Sequence, residues 1–224
     1  MIATKAEVVP EIMGDCIQAK VGGAVIVSGG FAESGRKDLQ DRISSMAREA
    51  NFPFIGPNCL GIYSPPYMDT FFIPSERIVR PEKGKVALIS QSGGILVDHM
   101  IKLAEEGVGI SKSVSIGNKA LIGELELLDY FIKDPETQVI AFYVEGFEEN
   151  EGRKFVLRAS QSSKPIVVLK TGKTPTGTKA VSSHTASVAG DYEVFSAVLS
   201  QYGVVEARDE FELISFCEAL CSYQ

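Results

Sequence analysis

The stretch "KVALISQSGG", residues 85–94, decides the fold. Its first six residues are mostly apolar and typical of a buried parallel strand, and its last four form a serine- and glycine-rich turn. A helical pattern over 95–106 follows the turn. Four more strand-and-helix units come after it, and this alternation predicts a flavodoxin-like doubly wound α/β domain with a parallel sheet over residues 81–224.

The first 80 residues carry a shorter α/β series. It contains a helix, a strand within "GGAVIVSGGF" (22–31), a second helix over 34–50 and a second strand. It lacks the strand and the glycine turn with which a nucleotide-binding half begins. We interpret residues 1–80 as the C-terminal part of a Rossmann-like domain, present as a fragment or completed by a partner, with the proline-rich stretch 64–84 as a linker. Its open sheet edges lead us to expect an oligomer.

Composition narrows the classes of partner. The chain has 224 residues, 45% of them hydrophobic, and a net charge of −7 without a basic run, which argues against nucleic acid and an anionic membrane surface as partners. No apolar run approaches the ~20 residues that span a bilayer, and the start "MIATKAEVVP" lacks the pattern of a secretory signal. The four cysteines form no CxxC pair, which is typical of reduced thiols, so we expect a cytoplasmic protein.

The turn after the 85–90 strand holds the first candidate residues, Ser90, Gln91, Ser92 and Gly93. Free backbone N–H groups and the positive end of a helix dipole meet where a strand passes into a helix, and together they form an anion site. The glycines let a ligand approach the backbone, and the serine hydroxyls add donors. The alternative is that Ser92 serves only as the N-cap of the helix.

One of the two histidines, His184, lies in a long loop of small and hydroxylated residues. Loops longer than about 12–15 residues inside a compact domain are usually functional or disordered. Glu145 follows the strand pattern "QVIAFYVEG" at the sheet edge where ligands bind in open α/β folds. It could accept the Nδ1–H of an imidazole and leave Nε2 as a nucleophile. A solvent-facing Glu145 and a histidine without a role are the alternatives.

Three other roles for His184 have weaker support. A metal site is disfavoured because the other histidine, His99, has a helical context that indicates packing, and we expect no metal in this chain. A Ser/His/Asp hydrolase is disfavoured because the chain has no G-x-S-x-G motif. A thiol pair with Cys59 is disfavoured because "GPNCLG" is typical of a tight turn.

Several linked motifs carry a family resemblance that covers essentially the whole chain. They are "GPNCLGIYSP" (56–65), "GKVALISQSGG" (84–94), "DPETQVIAFYVEG" (134–146) and "SSHTASVAGDYEVFSAVLSQYGVVEARDEFELI" (182–214). In this order they resemble the alpha subunit, or alpha-type half, of the NDP-forming acyl-CoA synthetases. That superfamily includes ADP-forming acetyl-CoA synthetase and succinyl-CoA synthetase, and the ADP-forming acetyl-CoA branch is the more similar.

The resemblance implies an acid–thiol ligase that interconverts acyl-CoA, phosphate and ADP with a carboxylic acid, CoA and ATP. The reaction would pass through an acyl phosphate and a phosphohistidine. ADP or ATP with Mg²⁺ would bind an ATP-grasp beta subunit or domain, without which the enzyme is incomplete. His184 would be the phosphorylated histidine and Glu145 its orienting carboxylate. The same resemblance implies a phosphate-binding set and a set near coenzyme A, namely Ser90, Gln91, Ser92 and Gly93, and Ser28, Gly29 and Asn58.

Two other functions stay open from the sequence. The first is a non-catalytic CoA-binding or regulatory module of an acyl-CoA synthetase-like or protein acetyltransferase chain, favoured by the incomplete first domain. The second is a flavin carrier, which fits the fold, although the long loop has no aromatic residue and the chain has no tryptophan. Val97 stands where succinyl-CoA synthetases have a tyrosine near the acyl group, which argues against succinate.

Overall fold

The computed structural model describes residues 1–172 and 192–222. The α-helices within them are α1 (Val9–Gln18), α2 (Lys37–Ala50), α3 (Gly93–Glu105), α4 (Glu124–Lys133), α5 (Glu151–Ala159), α6 (Tyr192–Gln201) and α7 (Glu210–Ser222). The strands are β1 (Ala24–Val25), β2 (Phe54–Ile55), β3 (Ile62–Ser64), β4 (Met68–Asp69), β5 (Lys83–Ser90), β6 (Ile110–Ser115), β7 (Val139–Val144), β8 (Ile166–Lys170) and β9 (Val205–Ala207).

A seven-stranded sheet organises the larger part of the chain, in the order β4-β3-β6-β5-β7-β8-β9. The strands from β5 onward pair in parallel. Counted from β5, their order is 2-1-3-4-5, which is the flavodoxin-like doubly wound arrangement. The predicted α/β class and the parallel sheet are therefore confirmed.

Helices cover both faces of this sheet. On one face, α4, α5 and α6 pack against alternate residues of the central strands, including Ala87, Ile89 and Phe142. On the other face, α3 and α7 pack against the residues between them, such as Leu88 and Ala141. Burial on both faces explains why these strands are continuously apolar in sequence. No helix in the described ranges is long and apolar enough to cross a membrane.

The first part of the chain has its own small core. Strands β1 and β2 pair in parallel, and Ile2 forms a further parallel bridge with Ile26. Helices α1 and α2 close over them, and the fully buried side chains include Met13, Phe31 and Phe54. These elements match the predicted partial α/β unit, whereas the boundary between the two predicted domains stays a prediction.

The stretch interpreted as a linker is packed into the fold. Strand β3 pairs antiparallel with β6, and β4 pairs antiparallel with β3, so a hairpin extends the large sheet. Phe71 and Ile78 are buried in the core beneath α3. Periodicity did not reveal them because each stands next to an exposed apolar residue, Phe72 and Val79, in a segment without a regular pattern.

His99 on α3 is a packing residue, as the sequence indicated. It is 0% exposed and contacts the Tyr143 ring edge-on at 5.8 Å between centroids. Neither ring nitrogen has a hydrogen-bond partner within the described part of the chain. Burial, followed by the nearby Lys102 ammonium, lowers the pKa of the imidazole from 6.5 to about 4. The fold therefore holds this histidine neutral.

We expect the free energy of unfolding to fall as the pH is lowered from 7.5 to 5.0, because of His99. The unfolded chain binds the proton as the pH drops below 6.5, whereas the folded chain resists protonation down to about pH 4. The loss at pH 5.0 should be about 2 kcal/mol. Urea unfolding at the two pH values measures it. In His99→Met this part of the loss should vanish, and an equal loss in both proteins would contradict the assignment.

Candidate active site

The loop predicted to bind phosphate lies at the junction of β5 and α3. Ser90 Oγ donates to the Ser92 carbonyl at 2.6 Å and accepts from the Ser92 N–H at 3.1 Å, which fixes the turn. Ser92 is the N-cap of α3, and its Oγ accepts from the Ile95 N–H at 3.5 Å. Ser90 and Ser92 thus shape the loop.

Two backbone donors at the start of α3 remain available for an anion. The N–H groups of Gly93 and Gly94 have no acceptor among the described residues, whereas those of Ile95 and Leu96 are bonded to Ser92. A Cβ on Gly93 would lie 3.2 Å from the Leu60 Cβ, but one on Gly94 would meet nothing within 4 Å. The helix start therefore faces open space with two free N–H groups and the positive end of its dipole.

Glu145 lies at the end of β7, directly beside this loop. Its backbone N–H donates to Gln91 Oε1 at 2.7 Å, and its carbonyl accepts from Lys170 Nζ at 2.7 Å. Strands β5 and β7 are adjacent in the sheet, whereas β6, which lies between them in the sequence, pairs with the other edge of β5. This is therefore the switch point of the sheet, where ligands bind in doubly wound folds.

The predicted CoA-side residues come together at the ends of β1 and β2. The Asn58 N–H donates to the Ser28 carbonyl at 2.9 Å, and a Cβ on Gly29 would lie 3.3 Å from Asn58 Oδ1. Asn58 Nδ2 also donates to Asn118 Oδ1 at 3.2 Å, which ties this group to the loop after β6. Ser28 is nearly buried, and its Oγ accepts from the Thr4 N–H at 3.0 Å.

A cavity of about 330 Å³ joins these groups. Five of the predicted residues line it, namely Asn58, Gln91, Ser92, Gly93 and Glu145. Ser28 and Gly29 lie beside Asn58 rather than in the lining, and Ser90 lies buried beneath the loop. His184 falls outside the described residues. The roles predicted for all of these residues stay predictions.

Cys59 also lines the cavity but is a poor nucleophile. Its thiol donates to the Ile26 carbonyl at 3.3 Å, and burial raises the pKa of that thiol to about 12. A thiol with this pKa is protonated at neutral pH, which argues further against a Cys–His pair. Among the residues described here, no group of three His, Cys, Asp or Glu side chains could hold a metal ion.

The sequence did not reveal a buried ion pair behind the site. Lys119 Nζ lies 3.1 Å from Glu124 Oε1 and donates to the Gly146 carbonyl at 3.0 Å. The Glu124 side chain is 2% exposed and that of Lys119 is 8% exposed. The one sequence feature that could have indicated this ion pair is the position of Lys119, which follows β6 and so lies at the same sheet edge as Glu145.

This cavity lies at the switch point of a doubly wound α/β protein, between a helix start with two free N–H groups and Glu145. The chain belongs to the family of succinyl-CoA ligase like flavodoxin domains, whose model matches residues 83–220. The family resemblance inferred from the motifs is confirmed.

Several relatives of this chain are ADP-forming acetate–CoA ligases. The chain is 40% identical to ADP-forming acetate–CoA ligase I of Archaeoglobus fulgidus over 229 residues, which cover 100% of this chain and 33% of that protein. It is 37% identical to the alpha subunit of ADP-forming acetate–CoA ligase I of Pyrococcus furiosus, covering 98% of this chain and 47% of that subunit. This chain thus spans about a third to a half of the length of these relatives.

A solved structure has the same fold over nearly the whole chain. It is the dinucleotide forming acetyl-coenzyme A synthetase 1 of Ca. Korarchaeum cryptofilum, in complex with phosphate and ADP. The TM-score is 0.90 at 36% identity, and the match covers 98% of this chain and 47% of that one.

We expect Lys119→Met to destabilise the fold by about 3–5 kcal/mol, because it leaves the Glu124 carboxylate buried without its cation. Lys83→Met is the matched control. Lys83 pairs with Glu136 at 2.5 Å, but its side chain is 46% exposed, so its loss should change the stability far less. Urea unfolding at neutral pH measures both. Equal losses for the two variants would contradict a structural ion pair at Lys119.

Proposed function

We propose that this chain is the alpha-type part of an ADP-forming acyl-CoA ligase, interconverting acyl-CoA, phosphate and ADP with a carboxylic acid, CoA and ATP. One observation carries the proposal. The free N–H groups of Gly93 and Gly94 and the Glu145 residue flank a single cavity at the switch point of the sheet. The names of the relatives support the reaction class.

The first step forms an acyl phosphate. A phosphate oxygen attacks the thioester carbonyl, so a C–O bond forms, the C–S bond breaks, and CoA leaves as its thiolate and takes up a proton. The N–H groups at the start of α3 hold the phosphate oxygens, since a helix N-terminus favours an anion. Asn58, with Ser28 and Gly29 beside it, would contact CoA on the β1–β2 side of the cavity.

The second step moves the phosphoryl group to His184. The imidazole Nε2 attacks phosphorus, an N–P bond forms, and the bond to the acyl oxygen breaks to release the carboxylate. Glu145 accepts the Nδ1–H, which fixes the tautomer and stabilises the positive charge that develops on the ring. The two helical amides stabilise the equatorial oxygens, since phosphoryl transfer depends mainly on positioning and charge.

The third step passes the phosphoryl group from His184 to ADP. We assign it to an ATP-grasp portion outside this chain, where ADP with Mg²⁺ would bind. That portion is either a separate subunit or a further domain, since the relatives include both a long single chain and an alpha subunit.

We expect acetyl phosphate to label the full-length protein at His184 with acid-labile, base-stable phosphate. His184→Ala should remove the label, and Glu145→Gln should slow labelling about 100-fold or more, because the neutral amide cannot stabilise the imidazolium charge. Intact mass and phosphoamino-acid analysis measure the label, with circular dichroism as the folding control. Folded wild-type protein that stays unlabelled, also with the ATP-grasp portion present, would support the non-catalytic CoA-binding module instead.

We expect Gly94→Asp to block phosphate without unfolding the protein. Gly94 is the second residue of α3, and a Cβ added there would have no atom within 4 Å, so a carboxylate fits and favours the helix start. The same carboxylate occupies the anion site, and labelling should fall at least about 10-fold while the urea midpoint is kept or rises. Gly94→Ala is the control and should label normally. Normal labelling in both variants would place the phosphate elsewhere.

A further inference from the structure

We propose that Gln91, Glu124 and Lys119 form a buried clamp that positions Glu145 for phosphoryl transfer. The inference rests on the proposed function, in which Glu145 orients His184. The family resemblance placed Gln91 among the phosphate-binding residues. The structure assigns its side chain to a different partner, the backbone of Glu145 and Gly146.

The Gln91 amide is fully bonded in one orientation. Its Oε1 accepts from the N–H groups of Glu145 at 2.7 Å and Gly146 at 3.0 Å. Its Nε2 donates to the Gly146 carbonyl at 2.6 Å and to the Glu124 carboxylate. If the amide were reversed, its NH₂ group would face the N–H groups of Glu145 and Gly146, and its oxygen would face the Glu124 carboxylate. These contacts are unfavourable, so the orientation is fixed.

The ion pair behind Gln91 supports that orientation. Lys119 Nζ contacts both Glu124 oxygens, at 3.1 and 3.3 Å, and donates to the Gly146 carbonyl at 3.0 Å. The Glu151 carboxylate lies 3.9 Å from the same ammonium. Among the described residues, the charged groups near the Gln91 amide include Glu124, Lys119, Glu145 and Glu151, and a second cation, Lys170 Nζ, lies 2.7 Å from the Glu145 carbonyl oxygen.

These bonds hold the peptide groups on both sides of the Glu145 Cα. Gln91 holds its N–H, Lys170 Nζ holds its carbonyl at 2.7 Å, and Gly146 is bonded at both its N–H and its carbonyl. The direction of the Glu145 Cα–Cβ bond, from which the side chain extends, follows from this backbone. A misplacement of about 1 Å in a catalytic constellation can cost about 100-fold in rate. Gln91 is thus a positioning residue that acts through Glu145.

A pH test separates this role from general support of the fold. Gln91→Glu keeps the shape, and one carboxyl oxygen can still accept both N–H groups. Its other oxygen faces the Glu124 carboxylate and the Gly146 carbonyl, so it must carry a proton to bond there. Burial and the like charge of Glu124 raise the pKa of the introduced carboxyl. The variant should therefore regain the native bonding pattern as the pH falls.

The experiment is single-turnover labelling of His184 in the full-length protein with radioactive acetyl phosphate at pH 6, 7 and 8. The rate of Gln91→Glu relative to wild type should rise about 10-fold from pH 8 to pH 6. Gln161→Glu, the same change at an exposed position, should show a constant ratio. Gln91→Met should lower the maximal rate about 10–100-fold at an unchanged half-saturating concentration of acetyl phosphate. Urea midpoints at each pH confirm that every variant is folded.

Two results would overturn the clamp while leaving the proposed function intact. One is a Gln91→Glu ratio as flat as that of Gln161→Glu in a labelled wild-type background. The other is weaker binding of acetyl phosphate by Gln91→Met at an unchanged maximal rate, which would make Gln91 a phosphate ligand. An unlabelled wild-type protein would overturn the proposed function, and this inference with it.

Discussion

The parallel pairing of β5 with β7 is the constraint on which the site depends. Ser90 is in register with Tyr143 in this pair, so both strands end at the same level of the sheet. Beyond these strands the chain continues to opposite faces of the sheet, into α3 after β5 and into α5 after β7. A crevice therefore opens between α3 and the 145–147 loop. If this register shifted, the start of α3 and the Glu145 carboxylate would no longer face each other. A slip of one residue turns every side chain of a strand to the opposite face of the sheet.

The strand-end positions were readable from the sequence because local rules decide them. A buried strand followed by "QSGG" predicts a helix start with free amides, and a second buried strand followed by Glu145 places a carboxylate at the same edge. The clamp was not readable, since Gln91 meets Glu124 and Gly146, and Lys119 meets Gly146, through contacts 27–55 residues apart that no periodicity records. The β3–β4 hairpin was missed because its strands have only three and two residues, too few to show an alternating pattern.

Asn118 links the two sides of the cavity. Its Nδ2 donates to Gln40 Oε1 at 2.9 Å and also to Glu33, while its Oδ1 accepts from Asn58 at 3.2 Å. Ser44 Oγ on α2 adds a bond of 2.9 Å to the Ala120 carbonyl. These bonds join the first α/β unit to the loop after β6. The groups predicted to face CoA and those predicted to face phosphate therefore share one hydrogen-bonded frame.

The saturated polar clamp also limits how this chain can vary among its relatives. Each donor in it faces a buried acceptor, so a change at one of positions 91, 119 and 124 leaves an uncompensated group at the others. Single substitutions there are expected to be eliminated by selection, while double or triple replacements that restore every pairing can persist. Lineages that depart from this pattern should then differ at two or three of these positions together, and the trio would mark branches of the family as one inherited unit.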